Sequence, residues 1–139
     1  MARKIRIITA KMGLDSHDNG IRIVSKWLVD GGYEVIYGGV YNSAEHVLRM
    51  TIEENADALG LSFLGGEHLH YAKTMIEMLR EHGLGHVKVF AGGIIPPADV
   101  ARLREMGVDA VFTPGARRDE ILGAIGGCFS GVDGVSDER

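Results

Sequence analysis

The sequence predicts an α/β protein built on one parallel sheet with helices on both faces. Short runs rich in β-branched residues alternate five times with longer runs whose apolar residues recur at helical spacing. The connections between them are short, and strands joined through a helix in this way lie parallel. Twenty glycines against three prolines, spread through a patterned chain, point to repeated tight strand-to-helix turns rather than disorder.

Ile5-Arg6-Ile7-Ile8-Thr9-Ala10 reads as the first strand, buried on both faces. Ile21, Val24, Leu28 and Val29 then mark the first helix, with Asp18 or Asn19 as its N-cap and Gly31-Gly32 ending it. Tyr33 to Tyr37 is the second strand, closed by Gly38-Gly39. Ser43 caps the second helix, although His46 stands where a full capping box has Glu; that helix runs to about Asn55. Ala58 to Phe63 is the third strand, ending in Leu64-Gly65-Gly66. Tyr71, Met75, Met78 and Leu79 form the apolar stripe of a third helix that stops near His82-Gly83. Val87 to Ala91 is the fourth strand, broken by Gly92-Gly93, and Pro96 or Pro97 starts a helix reaching Gly107. Ala110-Val111-Phe112 is the fifth strand, followed by Thr113-Pro114-Gly115 and a last helix from Arg117 to about Ile125. The domain is therefore expected over residues 1–125, with 126–139 as a flexible, Gly-, Ser- and Asp-rich tail.

Composition narrows the function. A chain of 139 residues is one domain's worth, 45% hydrophobic and 24% charged, as in ordinary globular proteins. A net charge of -4 gives no electrostatic case for nucleic acid or an anionic membrane. The single cysteine, Cys128, leaves no intrachain disulfide and suits a reducing cytoplasm. No apolar run nears the ~18 residues of a membrane span, and no leader segment is visible. A cytoplasmic location is expected.

The loops after strands one, three, four and five have unusual sequences, whereas the loop after strand two looks ordinary. Strand order 2-1-3-4-5, the flavodoxin-like arrangement, places those four loops side by side at the carboxyl edge, where open α/β sheets bind ligands. The loop after strand one is the richest. In Lys11-Met12-Gly13-Leu14-Asp15-Ser16-His17-Asp18-Asn19-Gly20, a carboxylate sits two residues from an imidazole. A carboxylate that takes the far ring proton is the usual way to fix the tautomer of a metal-ligating histidine. Lys11 would hold Asp15 ionised. Ser62 offers a hydroxyl at the end of strand three, and Gly92-Gly93 would let a planar ring slide against backbone. Thr113 is a further donor. His68 and His70, two apart, point to different sides of a helix or its approach and do not make a zinc pair. Phosphate-loop, dinucleotide, zincin and nucleophile-elbow signatures are missing, and a receiver domain would need an acceptor Asp where strand three ends in Ser62-Phe63-Leu64.

Together these loops resemble the cobalamin-binding domain of adenosylcobalamin-dependent mutases. The family pattern D-x-H-x-x-G, then S-x-L, then G-G reads here as Asp15-x-His17-x-x-Gly20, Ser62-x-Leu64 and Gly92-Gly93. The stretch Ala10 to Asp18, and later Thr113-Pro114-Gly115, most resemble the acyl-CoA branch, of methylmalonyl-CoA and 2-hydroxyisobutyryl-CoA mutases. The resemblance runs from about Ile5 to Ile125 and implies a base-off, His-on cofactor. His17 would be the lower axial cobalt ligand, with Asp15 on its other nitrogen and Lys11 behind Asp15. The displaced nucleotide tail would lie in a slot along the sheet edge. The implied cofactor-binding set is Asp15, Ser16, His17, Asp18, Gly20, Ser62, Leu64, Gly66, Gly92, Gly93, Phe112, Thr113 and Gly115. Phe112 stands where many relatives have Tyr and Ala116 where many have Thr, so fewer tail contacts are expected from strand five.

The family's radical chemistry takes place in a (β/α)8 barrel, for which 139 residues leave no room. The resemblance therefore implies the cobalamin-binding small subunit of an acyl-CoA mutase, inactive alone, with a large barrel subunit as partner and no catalytic residue of its own. Met12, Leu14, Phe63, Ile94 and Ile95 are the apolar residues expected on the face toward that partner. The main alternative is a stand-alone corrinoid carrier or methyltransferase-type module, which usually has an N-terminal helical cap not seen before the first strand. A cobalamin-dependent sensor would have a fused output domain, and a plain domain without corrin must treat three spaced motifs as accidents.

Overall fold

The computed structural model of the chain describes residues 4–13, 19–63 and 66–129. Five strands and five helices alternate: β1 (Arg6–Lys11), α1 (Asn19–Asp30), β2 (Glu34–Tyr37), α2 (Ala44–Glu54), β3 (Ala58–Phe63), α3 (His68–Glu81), β4 (Lys88–Gly93), α4 (Pro97–Met106), β5 (Ala110–Phe112) and α5 (Arg118–Phe129). All pairings are parallel and the order is β2-β1-β3-β4-β5, the flavodoxin-like arrangement expected.

The two-residue period of the strands sorts the core into two layers. Ile8, Ala10, Leu59, Leu61, Val89 and Ala91 face α2, α3 and α4, and the cluster they form there includes Val47, Met75 and Leu103. Their neighbours Ile7, Ala58, Phe90 and Ala110 face α1 and α5, packing with Leu28, Ile121 and Ile125. Each such side chain taken fully from water contributes about 1.5–3 kcal/mol, so the alternation fixes which face every strand residue presents.

Helix ends follow local chemistry. Ser43 accepts a hydrogen bond from the His46 amide at 3.1 Å, capping α2 as expected. At the end of α1 the Tyr33 amide reaches the Leu28 carbonyl (3.1 Å) and the Gly32 amide reaches Val29 (3.1 Å), with Gly32 at φ +96°. This closure needs a left-handed residue, and it tucks the buried Tyr33 under the helix. Asn55, at φ 52°, closes α2 with the corresponding Ala56-to-Thr51 bond.

Several expectations change. Gly92 and Gly93 do not break β4; they are its last two residues, paired with Ser62 and Phe63, because both lie at the edge where backbone hydrogen bonding still continues. The last helix passes Ile125 and runs to Phe129, since Phe129 is buried and packs edge-on against Phe90. Residues 126–129 are thus helical, and the rest of the expected tail lies outside the described residues. Met12, Phe63 and Ile95 are not on the surface: they are 4%, 3% and 3% exposed in the core against α2, α3 and α4, leaving Ile94 exposed. Leu14 lies outside the described residues.

The loop after β2 is not ordinary either. Asn42 is buried and donates from Nδ2 to the Lys11 and Gly39 carbonyls, both at 3.0 Å. Its carbonyl accepts from the Gly13 amide at 3.0 Å, and Asn42 forms a parallel bridge with Met12. The preceding Tyr41 is held at φ 61°. This loop therefore grips the end of β1 just where the chain enters residues 14–18.

Candidate functional site: a groove floored by bare strand positions

On the α1/α5 face the register produces two rungs across the sheet. Thr9, Gly60, Phe90 and Ala110 align on one, and Lys11, Ser62, Gly92 and Phe112 on the next toward the carboxyl edge. Gly60 and Gly92 thus leave gaps between larger neighbours, and Ser62 is nearly as small. Between these rungs and helices α1 and α5 lies a groove of about 710 Å3, within the range of small-ligand sites. Its walls are mostly apolar: Val24, Trp27 and Leu28 from α1, Ile121 and Ile125 from α5, and Phe90 and Phe112 from the sheet. Polar groups reach it at Thr9, Lys11, Ser62 and Thr113.

The two glycines of β4 do different work. A Cβ built on Gly92 would meet Phe112 only at ordinary contact distance, 3.6 Å from its carbonyl oxygen. The backbone tolerates a side chain there, and what its absence provides is open floor. A Cβ on Gly93 would run into the Phe63 carbonyl, and Gly93 has φ +111°. Gly93 is required by the close approach of β4 to β3, which also lets the Ile94 amide donate to Phe63 at 2.9 Å. Gly60 resembles Gly92, with its nearest would-be contact at 3.6 Å to the Thr9 methyl.

Of the residues singled out from sequence, Lys11, Gly20, Ser62, Gly92, Gly93, Phe112, Thr113 and Gly115 line the groove together, as does Ala116. Lys11 is 2% exposed at the last position of β1. Gly66 lies outside the lining, exposed at φ +84°. Asp15, Ser16, His17, Asp18 and Leu64 lie outside the described residues. The groove is not confined to the sheet edge; it descends the face to Thr9, Gly60 and Phe90.

Sequence reasoning missed the deeper floor and the walls. Thr9 was visible as a hydroxyl residue in a mainly apolar strand, and Gly60 as a mid-strand glycine, which often marks a close approach. Thr9 and Ser25 hydroxyls are 2.8 Å apart, and Ser25 donates to the Ile21 carbonyl at 2.7 Å, so Thr9 donates to Ser25. This buried pair ties α1 to β1 beside the groove without exposing an unsatisfied hydroxyl.

Of the other histidines, His68 turns inward and His70 outward, as their spacing implies. His68 is 3% exposed, with Nε2 2.7 Å from Asp99 Oδ2, and it is not part of the groove lining.

The residues present fit a flat, largely apolar group with a few polar edges: the bare floor admits a ring against backbone, and the walls remove it from water. Comparison with known proteins agrees. The B12 binding domain family matches residues 5–122. The pivalyl-CoA mutase small subunit of Xanthobacter autotrophicus is 46% identical over 120 residues, covering 86% of this chain and 80% of that protein. The 2-hydroxyisobutanoyl-CoA mutase small subunit of Aquincola tertiaricarbonis is 38% identical over 121 residues, covering 87% and 89% respectively. A solved cobalamin-binding protein from Desulfitobacterium hafniense shares the fold, with a TM-score of 0.78 at 21% identity over 91% of this chain and 60% of its own. The chain belongs to the B12-binding domain family and is a homologue of the small subunits of acyl-CoA mutases.

Proposed function

We propose that the groove receives the displaced nucleotide tail of a base-off cobalamin, and that His17 would ligate its cobalt. The observation that carries this is the bare Ser62–Gly92 rung in a groove that opens at the end of β1, where the chain enters residues 14–18. Asp15 would accept the proton on the far ring nitrogen of His17, and Lys11 would stand behind Asp15. Gly60 and Gly92 would give the tail's ring its floor, and Ser62 and Thr113 would offer hydroxyls to its polar edge. Ser16, Asp18 and Leu64 would complete the rim.

The chain is then the cobalamin-binding, non-catalytic subunit of an acyl-CoA mutase. It presents adenosylcobalamin to a separate large barrel subunit that binds the acyl-CoA. Bound there, the cofactor supplies a cobalt–carbon bond that can break homolytically. What this chain contributes is grip, orientation and exclusion of water. The support for a partner is that the two relatives are themselves named small subunits. A cytoplasmic setting fits the single cysteine and the fact that no described helix is long and apolar enough to cross a membrane.

His68 is a second candidate ligand on one observation: Asp99 occupies its Nε2, while Nδ1 is buried without a hydrogen-bond partner among the described residues. A carboxylate on one nitrogen with the other left over is how a metal-ligating imidazole looks. Against it, the ring is 3% exposed and lies outside the groove lining. The test is electron paramagnetic resonance of the Co(II) form bound to protein with 15N-labelled histidine. Coupling to a histidine nitrogen should vanish in His17→Ala and persist in His68→Ala; the reverse pattern transfers the role to His68. Turnover by the chain without a large subunit would overturn the two-chain reading.

A further inference from the structure

We infer that His68, held by Asp99, is a positioning residue that sets the mouth of the groove. The inference rests on the reading of the groove as the cobalamin tail site. Phe63 and Gly93, the last residues of β3 and β4, both line the groove at that mouth, and the next helix after each strand is α3 and α4 respectively. The starts of those helices are joined by a partly buried contact. His68 is the first residue of α3, and its Nε2 lies 2.7 Å from Oδ2 of Asp99, the third residue of α4.

The contact closes a ring of constraints. His68 packs edge-on against Phe63, with centroids 6.4 Å apart and planes at 66°. Phe63 accepts the Ile94 amide at 2.9 Å, and the Asp99 amide donates to the Pro96 carbonyl at 2.9 Å. Phe63, Ile94, Pro96, Asp99 and His68 therefore form one closed path around the carboxyl ends of β3 and β4. Ser62 precedes Phe63 by one residue and Gly92 precedes Ile94 by two, and the two are paired across the groove floor. A change in the distance between the starts of α3 and α4 is transmitted to that pair over a few bonds.

Packing alone does not call for an imidazole at this position. The ring lies against the apolar core, and Nδ1 has no hydrogen-bond partner among the described residues, an arrangement that costs stability. An apolar side chain of similar size would avoid that cost. What the imidazole supplies, and leucine does not, is a short directional bond to a carboxylate. The structure thus keeps a locally unfavourable group whose distinctive interaction joins the starts of α3 and α4.

The 139-residue chain and its variants His68→Leu, His68→Gln and Asp99→Asn test this. Glutamine places a donor at roughly the reach of Nε2, whereas leucine keeps bulk without a donor. Cobalamin uptake is read from quenching of Trp27, the chain's single tryptophan, which lines the groove. Measured well below its melting temperature, His68→Leu should bind cobalamin about tenfold more weakly than wild type. His68→Gln should recover most of the affinity, and Asp99→Asn should fall between. Amide resonances of Ser62, Gly92 and Ile94 in the cofactor-free protein should shift in His68→Leu and return in His68→Gln. This readout needs no cobalamin, so it separates failure of the tether from failure of the cobalamin reading. Wild-type affinity in His68→Leu, weakening that only tracks a lower melting temperature, or unshifted amides would each overturn the proposal.

Discussion

Filling the groove floor at Gly92 should separate binding from folding. In Gly92→Val the new Cβ meets Phe112 at no less than 3.6 Å, and Gly92 is not in the left-handed region, so the sheet accepts it. Replacing a strand glycine also removes an entropic cost of roughly 0.5–1 kcal/mol. The melting temperature should stay at or slightly above wild type. Binding should not. A ring resting on the backbone at Gly92 has carbon–carbon contacts of about 3.5–4.0 Å. A Cβ standing about 1.5 Å off the backbone along that line cuts the gap to roughly 2–2.5 Å, before the two methyls are counted. Ring or helix must yield, at an overpacking cost of about 1–3 kcal/mol, or roughly 5- to 150-fold in affinity. Titration of both proteins with cobalamin, followed by Trp27 quenching, with melting curves alongside, gives the two numbers. Equal affinity would mean that no flat group crosses this rung, and loss of folding would mean that the floor is structural.

Three other outcomes are expected. Gly93→Ala should fail in the opposite way, losing stability through the Phe63 clash and the left-handed backbone, at least about 1–3 kcal/mol by urea titration. Asn42→Ala leaves the Lys11 and Gly39 carbonyls without their side-chain donor and should cost roughly 1–3 kcal/mol; the same denaturation experiment checks it. Burial, and secondarily Asp109, pushes the Cys128 thiol above its ordinary range. Less thiolate is then present at a given pH, so alkylation near pH 8 should be slower than for a free cysteine and should accelerate on unfolding. The linked stability is full below the unfolded thiol's pKa and is lost as pH rises toward the raised folded value.

The sequence was most informative where chemistry is local. Ser43 was legible as a cap because capping depends on one side chain and the amide three residues on. The order of the sheet was legible because four odd loops had to meet on one edge. It was least informative about the surface. Met12, Phe63 and Ile95 read as an exposed apolar rim, but nothing within a short window tells which face of the sheet a residue at a strand end will turn to. Asn42 was passed over for the same reason, since its partners lie 31 residues away at Lys11 and three away at Gly39.

By itself, then, the chain's order of residues determined the alternation of elements and the family, since periodicity and short motifs are properties of neighbours. The tertiary structure alone decided that Thr9, Gly60, Ser62 and Gly92 form one floor beneath α1 and α5, that Gly92 is spare where Gly93 is obligatory, and that His68 reaches Asp99. Those facts depend on register across strands and on which helices meet, and such long-range contacts leave no periodic trace in a linear sequence.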